Sequence, residues 1–276
     1  MGKGIRKFMG LALGTSVAWA FAVKPRVWDK PDVSEIRRYD FARKGAFSPE
    51  KKIPENSLAA FQAAVDHGYG ITMDVRLTKD GVPVVFHDEH TYRMTGYDKP
   101  VRNMTAEEIT ALHLNGTDET VPTLEQALKA VDCQVPVLIE VKPEGGNTED
   151  LCSAICDVLD SYEGVFAVQA VDPHVLRWFK QERNEYIRGQ IVDYNYSSGY
   201  SLVNMVWDMF SSSLLMNFLT EPDMLICDAS VKYNPSVWLC RVLYRIPSLK
   251  RTVRSMEEYE AVKTDGATAL FEQIEP

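Results

Sequence analysis

The sequence predicts an α/β chain folded as a (β/α)8 barrel, and three observations predict it. Between residues 39 and 276, short apolar and β-branched runs alternate with stretches of helical periodicity. The runs number about eight, which suits a closed parallel sheet better than an open doubly wound one. No GxGxxG or P-loop pattern argues for a nucleotide-binding fold.

The elements follow in order. Tyr39 to Ala42 is a candidate first strand running into Arg43-Lys44-Gly45. A loop of turn formers, Ser48 to Ser57, precedes a helix over Leu58 to His67, which Asn56 or Ser57 can cap and Gly68 can end. Ile71 to Leu77 alternates apolar and polar residues, Lys79-Asp80-Gly81 has turn chemistry, and Val82 to Phe86 reads as a second strand ending in His87-Asp88. Thr105 can cap a helix over Ala106 to Leu114, and Pro122 opens another with Glu125 in its first turn. Strands are then expected at Pro136 to Lys142, Val165 to Ala170, Ile187 to Val192, Met224 to Cys227, Lys250 to Val253 and Thr268 to Phe271. Helices are expected at Thr148 to Tyr162, Pro173 to Arg183, Ser236 to Tyr244 and Met256 to Thr264. Ser201 to Leu219 interrupts the alternation as a small helical insertion, apolar round most of its circumference, that packs on the barrel's outside or touches lipid or a partner.

Composition narrows the function classes. The apolar fraction of 45% is ample for a buried core. A net charge of -9 opposes nucleic-acid binding, which needs basic patches to displace counterions, so no nucleic-acid partner is expected. The five cysteines are scattered, with no CxxC pair and no histidine spaced as a zinc partner.

Residues 1–28 differ from the rest. Lys3, Arg6 and Lys7 precede an uncharged run from Phe8 to Val23, after which Lys24-Pro25-Arg26 restores charge. As a helix the run rises about 24 Å, short of a hydrocarbon core of roughly 30 Å but workable with interfacial flanks such as Trp19, Phe21 and Trp28. We read it as an N-terminal hydrophobic helix that anchors the chain in membrane lipid by a single segment. The small-x-small sites Ala18-Trp19-Ala20 and Ala20-Phe21-Ala22 keep a secretory signal peptide, and hence a secreted protein, as the competing reading. The side of the membrane is left open. Residues 29–38 are a polar linker, and 39–276 form the barrel.

In a barrel, function collects at the carboxyl ends of the strands, where Arg43, Asp74, His87, Glu140 and Lys142 fall. Glu140 and Lys142 are two apart on one strand and point the same way. Charges are costly to bury unpaired, so such a rim faces a ligand, a metal or water.

With these residues in view, the sequence resembles the glycerophosphodiester phosphodiesterase family from about Tyr39 to Glu272. Members read roughly H-R-G, P-E-N-[ST]-x-x-A-F, E-x-D-V-x-x-T-K-D-G, V-x-H-D and E-x-K in that order. Here Pro54 to Phe61, Asp74 to Gly81, Phe86-His87-Asp88 and Glu140-Val141-Lys142 stand at matching intervals, and Pro122-Thr123-Leu124 and Phe271-Glu272 agree. The resemblance implies a barrel that hydrolyses glycerophosphodiesters to glycerol 3-phosphate and an alcohol. It also implies a divalent cation, Ca²⁺ or Mg²⁺, on the carboxylates of E-x-D and E-x-K, two proton-transferring histidines, and an Arg and a Lys holding phosphate.

The chain departs from that pattern at its centre. Arg43-Lys44-Gly45 stands at H-R-G, so a guanidinium that cannot act as a base replaces one histidine. Thr72 replaces the first carboxylate of E-x-D, leaving Asp74 and Glu140 as metal ligands and the cation weak or lost. Ala170-Val171-Asp172 replaces Ser-Phe-Asp, and Arg251 stands where tryptophan is usual. Of the remaining histidines, only His90 falls near the rim; His67, His113 and His174 do not.

Three readings follow. In the first, the site is degraded and catalytically impaired but still binds a phosphoester through Arg43, Lys44 and Lys142. In the second, a metal-dependent phosphodiesterase works through His87 as its catalytic residue. In the third, a membrane-tethered interaction protein uses the barrel as a scaffold.

Overall fold

The structure is a computed structural model and describes residues 16–192, 213–230 and 234–276. The apolar runs form strands β1 (Phe41–Arg43), β2 (Gly70–Leu77), β3 (Pro83–Val85), β4 (Val137–Val141), β5 (Phe166–Ala170), β6 (Arg188–Val192), β7 (Met224–Asp228), β8 (Ser248–Val253) and β9 (Thr268–Phe271). Eight of them pair in parallel in the order β1-β9-β8-β7-β6-β5-β4-β2, and β1 also pairs β2, which closes the cylinder. The register at the seam sets Phe41 beside Gly70 on one side and beside Leu270 on the other.

β3 is not a stave of the barrel. It runs antiparallel to β2, with Val75 opposite Val85 and Leu77 opposite Pro83. The link Thr78–Val82 is a tight turn closed by Thr78 N donating to Val82 O at 3.1 Å. A link that short permits only a hairpin, because a parallel pairing needs a crossover. The two strands therefore do not both end at the rim, as the sequence suggests. β2 overshoots the rim and β3 returns, so that Phe86 N donates to Asp74 O at 2.9 Å and His87 arrives at the level of Asp74.

Helices cover the outside: α1 (Ser34–Arg38), α2 (Leu58–Asp66), α3 (Tyr92–Thr95), α4 (Ala106–Thr110), α5 (Leu124–Val131), α6 (Thr148–Leu159), α7 (Pro173–Glu182), α8 (Asn217–Thr220), α9 (Pro235–Leu243) and α10 (Met256–Thr264). Ser57, not Asn56, caps α2, accepting from Ala60 N at 3.1 Å. Thr105 and Thr123 form reciprocal capping boxes with Glu108 and Gln126. The helix after Thr105 is shorter than expected, ending at Thr110. Residues 201–212 of the predicted insertion, and residues 8–15 of the predicted anchor, lie outside the described residues; of the rest, 16–22 are helical and Asn217–Thr220 forms α8. Among the described residues no helix is long and apolar enough to cross a membrane.

Side-chain alternation splits the barrel interior into two layers. Phe41, Leu138, Ala167, Leu249 and Leu270 pack together low in the barrel with Ile36, which α1 inserts into the base. Two positions further along the chain, the same inward face carries Arg43, Glu140, Gln169, Arg251 and Glu272. The second, larger core lies between the outer strand faces and helices α2, α5, α6 and α7.

The loop after β1 turns sharply. Lys44 and Gly45 both have left-handed φ, 62° and 80°, and a Cβ on Gly45 would sit 2.8 Å from the Ala60 carbonyl carbon. Gly45→Ala is expected to cost about 3 kcal/mol through left-handed strain and backbone overlap. A urea midpoint lowered with unchanged slope in the variant checks this, and an unchanged midpoint would contradict it.

Candidate active site

The upper layer gathers ionised side chains from four strands. Asp74 on β2 and Glu140 on β4 are register partners on adjacent strands, 3% and 5% exposed. Two residues past Glu140, Lys142 places its ammonium between them, 2.8 Å from Glu140 Oε1 and 3.4 Å from Asp74 Oδ1. Asn56 Nδ2 donates to the other Asp74 oxygen at 3.0 Å. From β8, the Arg251 guanidinium lies 3.7 Å from Glu140 Oε2. Arg43, at the end of β1, forms an ion pair with Glu272 just beyond β9, and Arg254 donates to the same carboxylate at 3.0 Å.

Burial by itself would push both central carboxyls up. Around Asp74 it is outweighed by Lys142, then by His87, Arg43 and Lys44, which hold the carboxyl well below the usual range. Glu140 is lowered too: burial and the Asp74 charge oppose that, but Lys142, Arg251 and Arg43 prevail. Burial likewise opposes the charge on Lys142, and the two carboxylates reverse it, so the ammonium stays protonated.

His87 Nδ1 lies 2.7 Å from Asp88 Oδ1. Burial, joined by Lys142 and Lys44, lowers the imidazole below its ordinary value against the opposing pull of Asp74 and Asp88. The neutral ring is thus favoured near pH 7. A carboxylate only accepts, so the neutral ring donates from Nδ1 and keeps the lone pair on Nε2, a base oriented by its neighbour. Asp88 is in turn paired with Arg93, which also pairs Glu55.

The structure brings Arg43, Asp74, Glu140 and Lys142 together with His87 beside them. Lys44 stands beside them, its charge acting on both Asp74 and His87. Its backbone N–H donates to Thr72 Oγ1 at 3.1 Å, while its ammonium turns to Glu55 at 3.0 Å. The three cations expected at the rim each have a carboxylate partner. His67, His113 and His174 bond within their own local turns to Ala63 O, Thr117 O and Asp172, and His90 bonds to Asp98 across the loop that holds α3. Asp172 is the N-cap of α7, accepting from His174 N at 2.8 Å.

Sequence reasoning gave no role in the site to Asn56, Glu55, Arg251 or Glu272. Asn56 and Glu55 lie inside the P-E-N motif, which is the signal that could have found them. Arg251 and Glu272 carry a weaker signal, each being a charged residue where an inward-facing strand position is expected.

Asp74 and Glu140 suit one side of a hard cation's shell. They are buried, adjacent and converge on a common point, as their shared ammonium shows. Thr72 adds only a neutral hydroxyl, and among the described residues no three His, Cys, Asp or Glu side chains group as a metal site.

Comparison with known proteins fits this geometry. The Glycerophosphoryl diester phosphodiesterase family profile matches residues 49–231, and the chain belongs to that family. A glycerophosphodiester phosphodiesterase of Caldanaerobacter subterraneus subsp. tengcongensis is 40% identical over 100 residues, 33% of this chain and 41% of that one. The human glycerophosphodiester phosphodiesterase 1 is 31% identical over 99 residues, 32% of this chain and 30% of that one. The aligned stretches thus span less than half the length of these curated relatives. The structure of an Oleispira antarctica phosphodiesterase in complex with the product sn-glycerol-3-phosphate superposes with TM-score 0.69 at 22% identity, covering 85% of this chain and 92% of that one. That of a Thermotoga maritima glycerophosphodiester phosphodiesterase gives 0.62 at 23%, covering 85% and 94%. At these identities the structures establish the shared TIM-barrel-like fold.

Because Asp74 and Glu140 are held low, the stability they contribute is complete above the ordinary carboxylate range and is lost as pH falls towards their depressed values. Lys142→Met removes their common partner. It is expected to cost about 3 kcal/mol near neutral pH and to move acid unfolding to higher pH, as followed by circular dichroism. An acid midpoint that does not move would show that Arg43 and Arg251 suffice.

Proposed function

We propose that this chain binds a glycerophosphodiester or related phosphoester at the rim formed by Arg43, Asp74, Glu140 and Lys142, and hydrolyses it slowly. One observation carries the reading: Arg43, fixed by Glu272, occupies the place where the family pattern has a proton-transferring histidine. A guanidinium stays protonated at any working pH, so it orients and neutralises phosphate but takes no proton. It presents five N–H donors in a planar fork suited to phosphate oxygens. Lys142 adds a point charge on the other side.

His87 is the remaining proton-transfer group, oriented by Asp88. It can take a proton from an attacking hydroxyl, or return one to the leaving alcohol, at Nε2. General acid or base groups contribute ~10²–10⁴-fold each, so a site with one of two is expected to be slow. A divalent cation, where bound, would be held by Asp74 and Glu140 and would neutralise phosphoryl charge. Loss of the third carboxylate at Thr72 leaves its shell to water and phosphate oxygens, which weakens affinity. Glu55 and Arg93, the ion-pair partners of Lys44 and Asp88, line a cavity of about 810 Å³ with Phe47, Ile53, Asp118 and Glu119, and we assign the alcohol part of the substrate to that side of the site.

Two measurements test this. Isothermal titration with Ca²⁺ or Mg²⁺ is expected to show weak binding that Thr72→Glu strengthens about tenfold or more. Equal affinity in both proteins would mean that position 72 does not face the cation. In hydrolysis of glycerophosphodiesters, the double variant Arg43→His with Thr72→Glu is expected to gain ~10²-fold or more, and His87→Ala to lose what activity there is. Fast, metal-dependent turnover by the unaltered chain would sink the impaired reading and favour the one-histidine enzyme.

A further inference from the structure

Helix α9, Pro235–Leu243, has no polar face. Ser236, Val237 and Cys240 are buried, the latter two packing with Val23, Leu225 and Ile246. The outer side shows Trp238, Val242 and Leu243 to solvent at 53%, 58% and 55%. A surface helix ordinarily turns charge outward, and Arg241 is the only charged residue in this one.

The helical segment 16–22 lies against α9 and enlarges this apolar surface. Trp19 Nε1 donates to Ser236 Oγ at 3.2 Å, the Tyr244 hydroxyl to Ala20 O at 2.8 Å, and Cys240 Sγ to Val23 O at 3.2 Å. Val23 is fully buried, while Val17 and Phe21 are 65% and 60% exposed. The last part of the uncharged run Phe8 to Val23 is therefore tied to the barrel.

Charge lies beside the apolar surface. Past the end of α9, Arg37, Arg241 and Arg245 line a cleft of about 240 Å³ with Ser248 and Thr268. Asp265 accounts for one guanidinium, pairing Arg241 at 3.1 Å. In a chain of net charge -9, three arginines round one small cleft are a local reversal of sign. Lys3, Arg6 and Lys7 precede the apolar run in sequence. An apolar face with an exposed indole, bordered by guanidiniums, is the chemistry that recognises an interfacial layer of anionic phospholipid.

We infer that α9 and the docked segment 16–22 form a face that lies in the surface of an anionic bilayer, its phosphates meeting Arg37, Arg241 and Arg245. Ser248 and Thr268 begin β8 and β9, so the arginine cleft is at the end of the barrel opposite Asp74 and Glu140. The rim consequently faces water, and its ligand arrives from solution.

The test is co-sedimentation of the full chain with vesicles of phosphatidylcholine alone or mixed with phosphatidylglycerol. Partition is expected to favour the mixed vesicles and to fall with salt. Arg241→Gln with Arg245→Gln should weaken it roughly tenfold or more, with the far-ultraviolet spectrum unchanged. Lipids brominated near the headgroup should quench tryptophan fluorescence, and Trp238→Phe should remove part of that quenching. Equal partition to both vesicles, or quenching and binding untouched by either variant, overturns the inference. So does a dimer by light scattering without vesicle binding, which would make a second copy the occupant of this face.

Discussion

Closure of the barrel through three residues is the constraint on which the rest depends. Phe41–Arg43 bonds to β9 on one side and to β2 on the other, so the parallel sheet has no open edge. Closure makes the first strand a neighbour of the last and brings Arg43 to Glu272. It also gives every stave an inward face on which residues two apart share one line of sight. The inward face is apolar low down, where Ile36 and Phe41 fill the base, and becomes ionised two positions later.

Ionised groups at the mouth of a closed barrel must balance one another, because desolvation penalises each one left alone. Asp74 and Glu140 are balanced chiefly by Lys142, with Arg43 and Arg251 beside them. This arrangement resembles a site in which some of a metal ion's charge has passed to side chains. Thr72, in place of a carboxylate, and Arg43, in place of a neutral ring, shift the balance in the same direction. Both substitutions make the rim more positive, and under the proposed function that favours holding phosphate over moving protons on and off it.

The two ends of the barrel are built differently. At the upper end, loops after β1, β3 and β4 converge on the ionised layer. At the lower end, Arg188 is fully buried, donating to the Asn184, Tyr186 and Glu221 carbonyls, and its own N–H donates to Asp223 at 2.9 Å. That network ties the base to the chain entering from the N-terminal segment, where Arg26 approaches the same Asp223 at 3.7 Å. With lipid proposed at the arginine cleft of the lower end and phosphoester at the upper, binding at one end leaves the other accessible.

Much was legible in the sequence because its information is local and periodic. Alternation marked the staves, Ser57, Thr105 and the first-turn residues marked the helix starts, and the spacing of Glu140 and Lys142 placed both on one face. The order of motifs also identified the family and exposed the substitutions at Arg43 and Thr72. Only tertiary structure decided the pairings across distance. Glu272 meets Arg43 because the barrel closes, Arg251 reaches Glu140 across the mouth, and Lys44 pairs Glu55. β3 reverses against β2 because its link is too short for a crossover. The apolar run up to Val23 reads as a membrane span in isolation, yet Ser236, Cys240 and Tyr244 hold its end on the barrel. Periodicity fixes which face a residue shows, whereas a partner far along the chain is set by closure, burial and the need to pair each buried charge.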